Sequence, residues 1–107
     1  MTRSRTGTIS RMTSLEGKTA LVTGASKGIG KAIALAYGEA GANVVATART
    51  QSEIDEVTKA ITHQGSQALG VTADLGVESD IYELADTATQ AFGAIDILVN
   101  NAAIIHP

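Results

Sequence analysis

Cysteine is absent from the 107 residues, and only 3% of them are aromatic. Without cysteine there is neither a disulfide nor a thiolate metal site. With few aromatics, Val, Ile, Leu and Ala have to build the interior of a chain that is 44% hydrophobic. Histidine is scarce as well: His63 and His106 stand apart without ligand spacing and are expected on the surface. No metal site is expected. No apolar run approaches membrane-spanning length, and no signal-peptide core precedes the first apolar segment. A soluble, cytoplasmic protein with no membrane partner is the expectation. Acid is missing from the first fifteen residues, which carry Arg3, Arg5 and Arg11. The rest holds five basic against eleven acidic residues, a balance of −6 beneath a formal net charge of −3. An acidic body argues against general nucleic-acid binding.

Against these absences, residues 18–37 stand out, reading KTALVTGASKGIGKAIALAY. Thr19, Ala20, Leu21, Val22 and Thr23 form a short, mostly apolar run, as a buried strand does. Gly24, Gly28 and Gly30 then allow tight backbone turns close to a ligand. From Ile29 apolar residues recur at helical spacing (Ile29, Ala32, Ile33, Ala36, Tyr37, Ala40), and Gly41 supplies a stop. Strand, glycine-rich turn and helix in succession aim backbone N–H groups and a helix dipole at one spot, which suits a phosphate. The alternative is a glycine turn that only packs a helix onto a strand.

Length allows one small domain. Along it, residues 43–48 (NVVATA) read as a second buried strand and 49–51 as a loop. Ser52 reads as an N-cap with Asp55 three residues on, and Ile54, Val57 and Ile61 mark one helix face up to Gly65. Residues 67–73 predict a third strand, ending at Asp74 and Leu75. Residues 77–92 predict a helix with Ile81, Leu84, Ala85, Ala88 and Phe92 on one face, stopped by Gly93. Residues 95–99 (IDILV) predict a fourth strand, ending at Asn100 and Asn101. The order βαβαβαβ with apolar strands means a parallel sheet covered on both faces. Its expected strand order is 3-2-1-4, an α/β Rossmann-type half plus one strand. Ligand is expected at the carboxyl ends of the strands, beside the switch between the first and fourth.

The glycine spacing T-G-x-x-x-G-x-G is neither the G-x-G-x-x-G fingerprint nor the G-x-x-x-x-G-K-[ST] loop. In this it resembles the short-chain dehydrogenase/reductase family, whose cofactor motif has that form. Other stretches agree, over roughly residues 15–107. The end of the second strand, where an acid would bond the ribose 2′-OH of NAD, holds Ala48 followed by Arg49. A guanidinium meets a 2′-phosphate with charge-assisted hydrogen bonds, and Lys27 adds a second charge where the family often puts one. NADP(H) is therefore expected over NAD(H), with two solvated surface cations as the alternative. By resemblance Asp74 and Leu75 contact adenine; alternatively Asp74 caps the turn. Asn100, Asn101, Ala102 and Ala103 resemble the family's N-N-A-G, with Ala103 in place of glycine. Asn100 is assigned mainly a structural role, and Asn101 and Ala102 are placed near the cofactor. The cofactor-binding set is then Thr23, Gly24, Ser26, Lys27, Gly28, Ile29, Gly30, Arg49, Asp74, Leu75, Asn101 and Ala102.

The resemblance also says what to look for in catalysis: a tyrosine and lysine spaced Y-x-x-x-K, with a serine upstream. Tyr37 is followed four residues on by Gly41 and Tyr82 by Asp86, so no catalytic residue is assigned. The sequence is expected to be the N-terminal, cofactor-binding part of an alcohol/carbonyl oxidoreductase, a Rossmann domain truncated after its fourth strand and inactive alone. For the full-length parent the family implies a small-molecule carbonyl or alcohol substrate and a homo-oligomer. A non-catalytic nucleotide-binding module and a gene remnant are the alternatives. The fourth strand is expected to be an unpaired apolar edge. Residues 1–14 are expected to be a disordered tail without a catalytic role. A transit peptide is the alternative, as is a natural start at Met12, since MTSLEGKTALVTG resembles the family's usual beginning.

Overall fold

The structure, a computed structural model, describes residues 14–101. The expectations for residues 1–13, Ala102, Ala103 and His106 lie outside the described residues. Seven elements alternate: β1 (Thr19–Thr23), α1 (Gly28–Glu39), β2 (Asn43–Ala48), α2 (Gln51–His63), β3 (Ala68–Thr72), α3 (Glu78–Phe92) and β4 (Ile97–Val99). All pairings are parallel, and the order is β3-β2-β1-β4, the expected α/β Rossmann-type arrangement.

Strand side chains alternate between two faces, and each face has its own core. Val22, Val44 and Ala46 pack with Ala34 of α1 and with Ile54, Val57 and Ile61 of α2. On the opposite face Leu21 and Val45 pack with Leu84 and Ala88 of α3, with Phe92 and Ile95 against them. Two helices therefore cover one face and one helix the other. β1, central in the sheet, is buried at all five positions. The helix stops fall where expected, with Gly41, Gly65 and Gly93 all at positive φ.

Four local expectations need correction. The apolar spacing noted in α1 does not mark its buried face: of that set Ile29, Ala32 and Ala36 are exposed and Ile33 and Tyr37 are half-buried, while the buried positions are Gly30, Ala34 and Gly38. The reason is closeness. A Cβ on Gly30 would lie 2.1 Å from the Gly24 carbonyl oxygen, and one on Gly38 would lie 2.7 Å from Cγ2 of Ile61. Only the smallest residues fit where α1 meets the glycine turn and α2, so Ile33, Leu35 and Tyr37 pack from its flanks. In α2 the N-cap is Thr50 and not Ser52, and Gln51 is already helical; its side-chain amide donates to Asp55 at 2.7 Å. In α3 Ile81 and Ala85 are exposed beside the buried Leu84 and Ala88.

β4 is the fourth correction, being two residues shorter than expected at its start. Asp96 explains this. Its carboxylate accepts the Thr19 N–H at 2.9 Å, taking a donor that a strand carbonyl would otherwise bind, while its own N–H still donates to Thr19 O at 2.9 Å.

Candidate functional site

In a parallel sheet every strand ends at the same side, so the four carboxyl ends converge. There an open cleft of about 670 Å³ is lined from the loops after β1, β2 and β3 and by Asn101 beyond β4. The loop after β1 turns on Gly24 and Gly28, at φ +59° and +61°. It is pinned to β2 because the Ala25 N–H donates to Thr47 O at 3.0 Å. It is pinned to the end of β4 because the Asn101 side-chain amide donates to Gly24 O at 3.3 Å. Gly30 lies directly beneath, where no Cβ fits. Thr23, buried behind the loop, sets its hydroxyl 3.2 Å from Val99 O and 3.3 Å from Asn100 Oδ1. β1 and β4 are thus joined at their ends by side chains as well as by the ladder.

The first turn of α1 follows at once. Its N-cap, Lys27, is extended and makes no side-chain cap bond, and the first turn holds no acid. The leading N–H groups of the helix are left without a side-chain acceptor, and its positive dipole end is not neutralised. Lys27 and Arg49 both line the cleft, and neither has an ion-pair partner among the described residues. Ala48, at the end of β2, brings no charge. This end of the cleft is suited to an anionic group.

At the far side Asp74 and Leu75 line the cleft beyond β3. One carboxylate oxygen of Asp74 accepts the Gly76 N–H at 2.9 Å, and the Asp74 N–H donates to Asp80 Oδ2 at 2.9 Å. The turn-capping role considered for Asp74 is present, and the same residue lines the cleft.

Seven of the twelve residues singled out in the sequence therefore line one cavity: Gly24, Ser26, Lys27, Arg49, Asp74, Leu75 and Asn101. Thr23, Gly28, Ile29 and Gly30 do not line it; Thr23 and Gly30 are buried under the turn, while Ile29 is 69% exposed at the start of α1. Ala102 lies outside the described residues. Thr47, Thr50, Glu53, Ala73 and Gly76 line the cleft without having been anticipated. A signal for two of these was present: Thr50-Gln51-Ser52-Glu53 has the T-x-x-E form of a capping box, which the Ser52 assignment passed over. Among the described residues no group of three or more acidic or histidine side chains could hold a metal, and no helix is long and apolar enough to cross a membrane.

A parallel sheet in the order 3-2-1-4, with a glycine turn at the carboxyl end of its first strand, defines a dinucleotide-binding class of α/β protein. The particular family follows from comparison. The family profile described as short chain dehydrogenase matches residues 18–107. Glucose 1-dehydrogenase 2 of Bacillus subtilis is 47% identical over 89 residues, which are 82% of this chain and 34% of that protein. A metagenomic short-chain oxidoreductase solved in complex with NADP superposes with a TM-score of 0.81 at 43% identity, over 85% of this chain and 41% of that one. Hydroxysteroid dehydrogenase from Escherichia coli gives a TM-score of 0.82 at 39% identity, over 92% of this chain and 42% of that one. The chain belongs to the short-chain dehydrogenase family of oxidoreductases, and it spans about a third of the length of the Bacillus relative.

Proposed function

We propose that these residues form the NADP(H)-binding part of an oxidoreductase that interconverts an alcohol and a carbonyl. Lys27 and Arg49 receive the 2′-phosphate of the cofactor. The turn from Gly24 to Gly30, with Ser26 and the leading N–H groups of α1 at Gly28 and Ile29, receives the pyrophosphate. Asp74 and Leu75 flank the adenine. Asn101, with Ala102, borders the nicotinamide-side ribose, and Thr23 holds the strand ends in register behind the turn. The cofactor, when bound, would supply the hydride for carbonyl reduction and accept it in alcohol oxidation. The chain's own residues bind and orient it.

The observation that carries this reading is electrostatic. Two cations without ion-pair partners among the described residues line the same cleft, next to a strand end that presents Ala48 in place of an acid. A carboxylate at that strand end would repel a 2′-phosphate, and a methyl group does not. The nicotinamide cofactor named in the metagenomic relative is NADP. Within these 107 residues neither tyrosine stands four before a lysine, so turnover is proposed for the whole protein and not for this stretch alone. For that whole protein a small-molecule carbonyl or alcohol substrate, a homo-oligomeric state and a cytoplasmic location complete the proposal.

Replacement of Arg49 by alanine tests it. A charge-assisted contact to phosphate contributes about 1.5–3 kcal/mol, so Arg49→Ala is expected to weaken NADPH binding about tenfold or more while leaving NADH within twofold. Nicotinamide fluorescence titration reads both. Equal effects on the two nucleotides, or none, would overturn the assignment of Arg49.

A further inference from the structure

Four charged side chains line the cleft: Lys27, Arg49, Asp74 and Glu53. The first two answer an anion, and Asp74 is held in its own turn. Glu53 has no comparable role. It sits in the first turn of α2, four residues after Arg49, and it is exposed. The T-x-x-E sequence invites a capping box, yet Thr50 makes no side-chain cap bond and the Glu53 side chain has no hydrogen-bond or ion-pair partner among the described residues. Its neighbours in the same turn are engaged, since Gln51 donates to Asp55. A carboxylate is thereby left on the wall of the cleft, on the element that follows Arg49.

We infer that Glu53 is a specificity-determining residue that limits the preference of this site for a 2′-phosphate over a 2′-hydroxyl. The inference rests on the proposed nucleotide site and adds a second, opposing charge to it. The chemistry is asymmetric. A carboxylate accepts a hydrogen bond from a hydroxyl but has no proton to offer a phosphate, and its charge opposes that of the phosphate. Lys27 and Arg49 favour NADPH. Glu53 acts against NADPH alone, by repulsion and by partly neutralising Arg49, and leaves NADH unpenalised. The acid that NAD-preferring sites hold at the end of β2 is here replaced by Ala48, and an acid returns five residues later, on the first turn of the following helix. The result is a site that accepts both nucleotides with a bounded preference.

The test is Glu53→Gln in the 107-residue chain, with NADPH and NADH titrated at low and at high salt. An exposed charge pair is a modest effect, so NADPH is expected to bind about two- to fivefold more tightly in the variant, with NADH unchanged or slightly weaker. The gain is expected to shrink as salt rises, because the repulsion is screened. The competing role for Glu53 is stabilisation of the α2 dipole. That role predicts a lower melting temperature in Glu53→Gln and an unchanged ratio of NADPH to NADH affinity, and such a result overturns the inference. A variant that shifts both nucleotides alike overturns it too. If the unsubstituted chain binds neither nucleotide, the proposed cofactor site itself fails and the role of Glu53 falls with it; if it binds NADPH and Glu53→Gln changes nothing, only the role of Glu53 fails.

Discussion

Thr47 is fully inside the protein, yet its hydroxyl has no hydrogen-bond partner among the described residues. Its backbone does the useful work, accepting the Ala25 N–H that pins the glycine turn. An unsatisfied buried hydroxyl costs about 1–3 kcal/mol, and a methyl group of the same shape does not carry that cost. Thr47→Val is therefore expected to raise stability by about 1 kcal/mol in urea unfolding. A loss of stability would show that the hydroxyl has a partner in solution. At this scale the sequence was informative where the signal is covalently local. Gly24, Gly28 and Gly30 declare a turn by spacing, and Ala48 followed by Arg49 declares the charge at a strand end. Thr47 gave no such signal, and the T-x-x-E form that ends at Glu53 points to a helix cap and not to a cleft, because what both residues do depends on which elements close around them. Neither a buried threonine nor an acid in a first helical turn is unusual until the cleft is known.

Among the elements, α1 shows how pattern and packing diverge. Its larger apolar residues recur at helical spacing, but the face it buries is Gly30, Ala34 and Gly38. Spacing of bulk reports where apolar mass lies, whereas close approach selects the residues without it. Gly30→Ala makes this measurable. An added Cβ would stand 2.1 Å from Gly24 O and 2.8 Å from Asn101 Nδ2, so α1 would have to move off the turn. Overpacking of this kind costs about 1–3 kcal/mol, against a helix-propensity gain of about 1 kcal/mol for alanine over glycine. Gly30→Ala is expected to be destabilising by up to about 2 kcal/mol, towards the upper end because the clash is with backbone, and to weaken nucleotide binding through the displaced turn. Neutral stability would contradict the close contact. The order, number and kind of elements were all legible, since apolar runs alternate with periodic segments and every helix has its glycine stop. Boundaries were less so. The start of β4 was misplaced because the Asp96 side chain intercepts the Thr19 amide, a bond between residues 77 apart in sequence. The cap of α2 falls at Thr50 although serine is the stronger N-cap type, because the helix already includes Gln51 and Ser52 and no side-chain cap bond selects its start.

At the scale of the described residues, the sheet is buried at β1 and β2 and only half-buried at its two outer strands, β3 and β4. β4 pairs over three residues with β1 and with no other described strand. Leu98, at its centre, is 64% exposed on the face that carries α3. An apolar edge of this kind invites pairing with another chain. Leu98→Lys is expected to reduce concentration-dependent self-association, read by sedimentation velocity, while changing stability by less than about 0.5 kcal/mol. Association that persists unchanged would place the contact elsewhere. The central claim, that the carboxyl ends of the strands form a nucleotide site, is tested most directly by amide NMR of the 107-residue chain titrated with NADPH. The account predicts saturable shifts confined to residues 24–30, 47–53 and 74–76 and to Asn101. It predicts no shifts at the second groove, formed by Lys59, His63 and the outer edge of β3. Saturable shifts at that groove instead, or none anywhere in a folded spectrum, would contradict it.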